Sequence, residues 1–425
     1  MTEKSSRLGF RSLSWGGVGL GLISAALLSF EINLARLFSV SQFYHFAFLV
    51  VSIALLGSGA SGTFLSLRKA KPLHYQQTNL AWLAGGSGLS MFVSYLLVNF
   101  LPFDSYSIFV APEQFIILLL HYAALASPFF FNGMAIGLLL GQNRSSTGQV
   151  YAVNLVGSAV GCVIAVSIPM WVDGEGVVAL SAGLAAVSGV FFLLEHRRSG
   201  SRSGGLWWGA FGLSLIIGLC SLLILGQRMQ SEDMPPYFNL KISPYKSLSY
   251  ALQPPAAELL SSRWNSFSKV DVVASPSLHS VPGLSYRYTA PLPSIHGLFV
   301  DGDNLNAVLP ADAELDFAAY LPAAIAFYLQ PGGDVLILEP KGGLDILAAL
   351  ELGAEGVQAV ESNHLIIQAA QDVYLQPGVS VVTQSGRSYL ASAQSEFDLI
   401  HMPLTDSYHP VGSGAYALGE DYRYT

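Results

Sequence analysis

"DVLILEPKGGLDILAALELGAEGVQAVES", residues 334–362, decides how the second half of this chain is read. "DVLILEP" is an apolar run of strand length without alternation, as in a strand of a parallel sheet covered on both faces. Lys341, Gly342 and Gly343 then make a turn, "LDILAALELGA" reads as a helix ending at Gly353, and "GVQAVES" reads as a second strand ending in an acid. The alternation continues. "SNHLIIQAAQDVYL" (362–375) is a helix, "VSVVT" (379–383) a strand, "SGRSYLAS" (385–392) a turn with a short helix, and "EFDLIHMP" (396–403) a fourth strand. Strands and helices alternating at this length predict a doubly wound α/β parallel sheet with right-handed crossovers. Ligands of such sheets sit at the carboxyl ends of the strands.

Two features place a candidate site there. Gly342 and Gly343 let a ligand approach the backbone, and the following helix N-terminus favours an anionic group. Glu361 ends the second strand 18 residues after Gly343, where an acid can accept two hydrogen bonds from ribose hydroxyls. Each feature has a plainer explanation, a Gly-Gly turn and a solvated glutamate. Their combination is what points to a nucleoside.

Upstream, "AELDFAAYLPAAIAFYL" (313–329) reads as helical. "SYALQ" (249–253), "SKVDVVAS" (268–275) and "HGLFVDG" (296–302) read as pieces of a small antiparallel β subdomain. "GQRMQSEDMPPYFNLKISPYK" (226–246) is polar and proline-containing, as in a linker. The expected organisation is a membrane domain over 1–226, a linker over 227–242, a small β subdomain over 243–310 and a Rossmann-like domain over 311–425.

The membrane assignment comes from the first half. The mean hydropathy of +0.48 hides a division. Residues 1–226 carry eleven basic and seven acidic residues, and residues 227–425 carry nine and twenty-one. The acidic second half argues against nucleic acid, which needs a basic surface, and suits a cationic substrate. Seven apolar spans, near 13–38, 43–67, 79–101, 114–140, 150–172, 176–194 and 205–226, are each long enough to cross a bilayer. The first reads as a membrane helix rather than a cleaved signal. The two cysteines, Cys162 and Cys220, lie in apolar runs and make neither a metal motif nor a disulfide framework.

"ALLGSGASGTFLSL" (54–67) holds a literal G-x-G-x-x-G at Gly57, Gly59 and Gly62. It lies inside the second span rather than between a strand and a helix, so it reads as small residues for helix packing. Within the first span, Glu31 and Arg36 are too far apart around the helix to pair. Arg36 can snorkel, and Glu31 is either a packing residue or a functional carboxyl.

Ten of the eleven basic residues of the first half lie in the N-terminal tail and in the connections after spans two, four and six. The connections after spans three and five hold Asp104, Glu113, Asp173 and Glu175 and no basic residue. The positive-inside rule then predicts a multi-pass inner-membrane protein with a cytoplasmic N-terminus. A seventh crossing puts the soluble domain in the periplasm or cell exterior.

From Ser243 onward the chain resembles the spermidine synthase-like, S-adenosylmethionine-dependent transferase family, in its membrane-bound branch. The matching pieces are "SPYKSL", "LFVDGD", "YLPAAIAF", "VLILEPKGGLDILAALELGA", "VQAVES", "SGRSYL", "FDLIHMPLTDS" and "ALGEDYRYT". "EINLARLFSV" and "YHFAFLVVSIALLGSGASG" are similar to that branch's membrane helices. The resemblance implies an α-helical polytopic membrane domain joined to an α/β Rossmann-like, methyltransferase-type domain with a small β subdomain before it. It implies a donor, S-adenosylmethionine or decarboxylated S-adenosylmethionine, and an amine acceptor such as a polyamine. Glu361 matches the acid that holds the cofactor ribose, and Gly342 and Gly343 match the end of the glycine-rich loop. Ser385, Gly386 and Arg387 match an Asp-Gly-Arg, with Ser385 where an aspartate would accept from the adenine amino group. Gly342, Gly343, Asp345, Glu361, Ser385 and Gly386 are the cofactor-binding candidates. Tyr245 and Tyr320 are substrate-binding candidates. Asp406 is the candidate for both anchoring the substrate and catalysis, and no metal is expected.

The departures matter as much. Glu339, Pro340 and Lys341 replace small residues of the loop, Lys246 replaces a glutamine, and Tyr320 replaces a histidine. Pro403 stands where the family's first Asp-x-x-Asp acid deprotonates the amine, and proline accepts no proton. The sheet supplies four strands where about seven are usual for the family, so the chain reads as a fragment lacking its C-terminal strands. Two functions follow. One is a membrane-anchored transferase acting on an amine. The other is a non-catalytic ligand-sensing or transport-coupled membrane protein. The lipid bilayer is the expected partner in either case, with a homo-oligomer left open.

Overall fold

A computed structural model describes residues 14–42, 45–67, 77–101, 103–104, 107–142, 147–198, 204–230, 236–279, 281, 283–310 and 312–403. The chain divides into two compact units, Met1–Ser39 with Phe43–Lys241, and Val40–Gln42 with Ile242–Thr425.

The first unit is built from α1 (Trp15–Ser41), α2 (His45–Leu67), α3 (Gln77–Phe100), α4 (Glu113–Gln142), α5 (Thr147–Ser167), α6 (Pro169–Arg198) and α7 (Gly205–Gln230). Among the described residues these seven helices are long and apolar enough to cross a membrane. Lipid is as apolar as leucine, so close packing of small residues, rather than escape from water, holds such helices together. α6 shows this most clearly. Ala179, Ser181, Ala182, Ala185, Ala186, Ser188 and Gly189 are all buried along it. A Cβ on Gly88 of α3 would lie 2.9 Å from the Ala182 carbonyl oxygen.

α5 uses the same device against α1. Added Cβ atoms on Gly157 and Gly161 would lie 2.3 Å from the Gly21 carbonyl oxygen and 2.5 Å from that of Ala25. Ser24 Oγ donates to Asn154 Oδ1 across the same seam, at 2.8 Å. The glycines of α2 are divided. Gly57 meets the Ala126 carbonyl of α4, whereas Gly59 and Gly62 face open space. The packing expectation therefore holds at Gly57 and not at the other two.

Contacts sort the helix ends. The Gly16 N–H donates to Glu195 Oε2 at 3.2 Å, Thr78 Oγ1 and His196 Nδ1 are 3.3 Å apart, and the Arg197 guanidinium lies 4.1 Å from the Trp207 ring centre. The starts of α1, α3 and α7 therefore gather with the end of α6. At the other end, Asn33 Nδ2 donates to the Gly174 carbonyl at 2.7 Å, and Arg228 pairs with Asp173 at 2.5 Å. Asp173, with φ 59° and ψ 174°, is not helical and breaks α6 into two helical parts, so the expected connection between spans five and six is reduced to a kink at this residue.

Residues 236–241 are fastened at this second end. Tyr95 donates to the Phe238 carbonyl at 2.7 Å, Asn99 Nδ2 to that of Asn239 at 2.6 Å, and the Lys241 N–H to Asn99 Oδ1 at 2.9 Å. The stretch expected to be a linker is thus partly α7 and partly a strap tied to α3. The chain enters this bundle at one end and leaves it at the other.

The second unit holds two sheets. β1 (Glu258–Trp264), β2 (Lys269–Ala274), β3 (His296–Val300) and β4 (Asp303–Val308) are antiparallel in sequence order. Asp301 and Gly302 both have positive φ between β3 and β4, as a two-residue hairpin turn requires. "SYALQ" is not a strand of this sheet: it falls mostly in a short helix, α8 (Ser247–Ala251). Leu248 and Ala251 of α8 pack on Val273 and Phe299. The helical stretch over 313–329 is interrupted, as a 3₁₀ turn (Asp316–Tyr320) and α9 (Ala324–Leu329). Pro322 forces the preceding Leu321 to extended backbone, ψ 150°.

The second sheet contains β5 (Asp334–Leu338), β6 (Gly356–Val360), β7 (Val379–Val382) and β8 (Leu399–His401), all parallel, in the order β7-β6-β5-β8. Between them run α10 (Leu344–Glu351), α11 (His364–Ala369), α12 (Gln371–Tyr374) and α13 (Gly386–Ser392). The single helix expected over 362–375 is broken at Ala370. Leu298, Phe317, Ile337, Ile346, Ala359 and Val373 belong to one core shared by both sheets.

Candidate functional site

The turn after β5 is the centre of the site. Glu339, Lys341 and Gly343 have φ of 53°, 51° and 82°. Only glycine adopts this region without strain, and a side chain there costs about 1–2 kcal/mol. Two of the three positions carry one, so packing must hold the turn. Gly342 cannot carry even a methyl: its Cβ would lie 2.1 Å from the Ala307 carbonyl oxygen of β4. Gly343 is pressed against Val373, with a Cβ at 2.6 Å. The Tyr374 hydroxyl donates to the Lys341 carbonyl at 2.9 Å. Burial pushes that phenol well above its usual range, with the Glu361 and Glu339 charges adding to the shift.

Glu361 lies directly beneath this turn and is fully buried. Its Oε2 accepts the Lys341 N–H at 3.3 Å and its Oε1 accepts the Asn363 N–H at 2.9 Å. Burial pushes its carboxyl up, while the Lys341 ammonium and the two N–H groups pull the other way. The Glu361 carboxyl therefore ties the loop to the end of β6 and is itself wholly enclosed. Each oxygen retains a second lone pair. Lys341 Nζ stands 3.7 Å from Glu339 Oε2, with both side chains largely enclosed. Asn363 extends the network to the antiparallel sheet, donating to Ser268 Oγ at 2.8 Å and accepting from Asn265 Nδ2 at 2.8 Å.

This burial has a sign. A carboxyl raised in the folded state contributes its stability below the ordinary carboxylate range and loses it as pH rises through the raised value. Glu361→Gln removes that titration. The native chain is expected to lose melting temperature relative to Glu361→Gln as pH rises from about 4 to 7. Calorimetric melts at several pH values check it. A native chain that gains on the variant over that range would contradict the burial penalty.

The other expected site residues fall in three groups. Ser385 caps α13, its Oγ accepting the Ser388 N–H at 3.3 Å. A Cβ on Gly386 would touch Leu338 at 3.5 Å, which puts this turn beside the end of β5. Asp345, in the first turn of α10, lies 3.1 Å from His401 Nε2, a pairing the sequence did not announce. Tyr245 and Tyr320 are two-fifths exposed, and Tyr320 packs its ring on Tyr288, centres 5.3 Å apart. Lys246 is buried, its Nζ donating to the Asp301 carbonyl at 2.9 Å, so it ties α8 to the β3–β4 hairpin. Burial pushes its ammonium down, and Asp303 and Asp301 oppose the shift. Asp406 lies outside the described residues.

Two surface grooves lie elsewhere on this unit. One of about 360 Å³ is lined by residues that include Ser275, Leu278, His279 and His296. Another of about 230 Å³ lies beside Arg263 and Gln368. Neither is lined by Gly342, Gly343 or Glu361. Among the described residues no cluster of His, Cys, Asp and Glu could hold a metal ion. The chain matches no protein-family model, no curated protein and no solved structure.

Proposed function

We propose that the chain is a membrane-anchored, spermidine synthase-like protein. In this reading its C-terminal unit is Rossmann-like, binds an S-adenosylmethionine-type nucleoside at the carboxyl ends of β5 and β6, and passes a group, aminopropyl in the first instance, to an amine. The observation that carries this reading is the turn after β5. It keeps a glycine-loop backbone at Glu339 and Lys341 despite the strain, directly over an acid at the end of the next strand. Strain of this kind persists where the surroundings over-determine it and concentrates at ligand clamps.

Photocrosslinking tests the location. The full chain in detergent, irradiated with S-adenosylmethionine radiolabelled in its methyl group, is expected to carry label in peptides within 334–403. Label confined to α2, or none above a heat-denatured control, would overturn the assignment.

The second reading, a non-catalytic ligand-binding module, is supported by Pro403 and by the enclosure of Glu361. It predicts donor binding without product.

Orientation is part of the proposal. The basic residues of the first half collect in alternate connections, and the chain leaves the helical bundle at the end opposite Trp15. The N-terminus then faces the cytoplasm and the C-terminal unit faces outward. S-adenosylmethionine is cytoplasmic, so with this orientation the unit uses another ligand, whereas a re-entrant seventh span would keep it inside with that donor. A reporter active only in the periplasm, fused after residue 240, is expected to be active. Silence of that fusion, with a cytoplasmic reporter active at the same position, would reverse the orientation and strengthen the transferase reading.

A further inference from the structure

In the parallel sheet β6 lies on one side of β5 and β8 on the other. The connections reverse direction beside β5, and the crevice between the carboxyl ends of β5 and β8 is the place where such sheets receive ligands. Two ionisable side chains meet there. His401 is the last residue of β8, and Asp345 stands in the first turn of α10. His401 Nε2 is 3.1 Å from Asp345 Oδ1, with the side chains 13% and 16% exposed. The Phe327 ring of α9 packs on the imidazole, centres 5.4 Å apart.

We propose that His401, oriented by Asp345, is the general base that takes the proton from the acceptor amine. The proposal rests on the transfer reading above and supplies the group that Pro403 cannot. A carboxylate bonded to one ring nitrogen fixes the imidazole's tautomer and orientation. With Nε2–H donating to Asp345, and no other hydrogen bond to the ring among the described residues, Nδ1 keeps its lone pair. Imidazole is the side chain best suited to accept a proton at neutral pH.

The step balances without an oxidant or reductant. The amine nitrogen forms a bond to the carbon attached to the donor's sulfonium. That carbon–sulfur bond breaks, and its electron pair returns to sulfur, which leaves as a neutral thioether. The proton shed by the nitrogen passes to Nδ1 of His401. Asp345 is a positioning residue, because it acts on the amine only through the imidazole. A plain structural tie between α10 and β8 would leave the same contact, so the test must separate the two.

The full chain is assayed with decarboxylated S-adenosylmethionine and putrescine, with methylthioadenosine measured by chromatography and donor binding by calorimetry. His401→Ala is expected to bind the donor within about threefold of the native chain and to form product about a hundredfold more slowly. Added imidazole is expected to restore at least about tenfold of that loss. Asp345→Asn is expected to lower the rate by more than it lowers donor affinity, and Asp345→Glu to recover part of it. Product formation by His401→Ala at the native rate would overturn the proposal, and so would a slow variant that binds the donor but is not rescued by imidazole. Loss of donor binding in both His401→Ala and His401→Gln would make the pair a structural tie. A native chain that binds the donor but forms no product removes the base and leaves the binding site standing. A native chain that binds no donor removes both.

Discussion

Gly342→Ala is expected to cost the C-terminal unit about 3 kcal/mol or more, beyond the usual range for adding one methyl group. The new Cβ would meet the Ala307 carbonyl oxygen at 2.1 Å and its carbon at 2.9 Å. These are backbone atoms of β4, so no side chain can turn aside to make room. Either β4 or the turn must move, and the turn is already held by Glu361 and Tyr374. Against a typical domain stability of about 5–15 kcal/mol, that loss is a large share. Limited proteolysis of the full chain across a temperature series measures it in this unit. Gly353→Ala is the control: its φ is 97° and nothing lies within 4 Å of the added atom, so only the backbone cost of about 1–2 kcal/mol applies. Equal resistance of Gly342→Ala and the native chain would contradict the seating of the turn against β4.

The membrane unit has its own counterpart. Gly161→Leu is expected to separate α5 from α1, because the helix backbones touch there through Ala25 and Ser29. α5 is enclosed only along Gly157, Gly161 and Ala165, so little else holds that face. Overpacking of this size costs about 1–3 kcal/mol in a soluble core, and here the displaced group is a helix backbone that cannot yield locally. Gly59→Leu is the comparison, since α2 presents that position to open space. Thermal aggregation of the detergent-solubilised chain should shift to lower temperature for Gly161→Leu and stay unchanged for Gly59→Leu. The reverse order would overturn the packing described for α1 and α5.

The seven helices were legible because a bilayer demands about twenty apolar residues in a row, and a sequence cannot hide that. The parallel strands were legible for a related reason: "DVLIL" and "GVQAV" are apolar without alternation, as strands covered on both faces must be. α8 was missed because five residues carry too little periodicity. Its helix is set by Leu248 and Ala251 packing on β2 and β3, which is tertiary information. β1 was missed because its residues are mostly exposed and do not alternate. The breaks at Leu321 and Ala370 shortened two helices whose apolar residues continue through them.

The site divides in the same way. Gly342, Gly343 and Glu361 stand out as candidates from order and spacing along one βαβ unit. The enclosure of Glu361, and the left-handed backbone at Glu339 and Lys341, follow from the packing of β4 and Tyr374 on the turn. No residue-by-residue reading supplies that. His401 and Asp345 lie 56 positions apart and meet only because β8 returns to the far side of β5. A single histidine at a strand end gives no sign of its partner.

The proposed adenosyl ligand binds under the turn after β5, on Glu361. Isothermal calorimetry of decarboxylated S-adenosylmethionine with the native full chain and with Glu361→Ala tests it most directly. Binding to the native chain is expected, with an affinity lower by more than about tenfold in the variant, the cost of one bidentate carboxylate interaction. Equal affinity of the two proteins would contradict it.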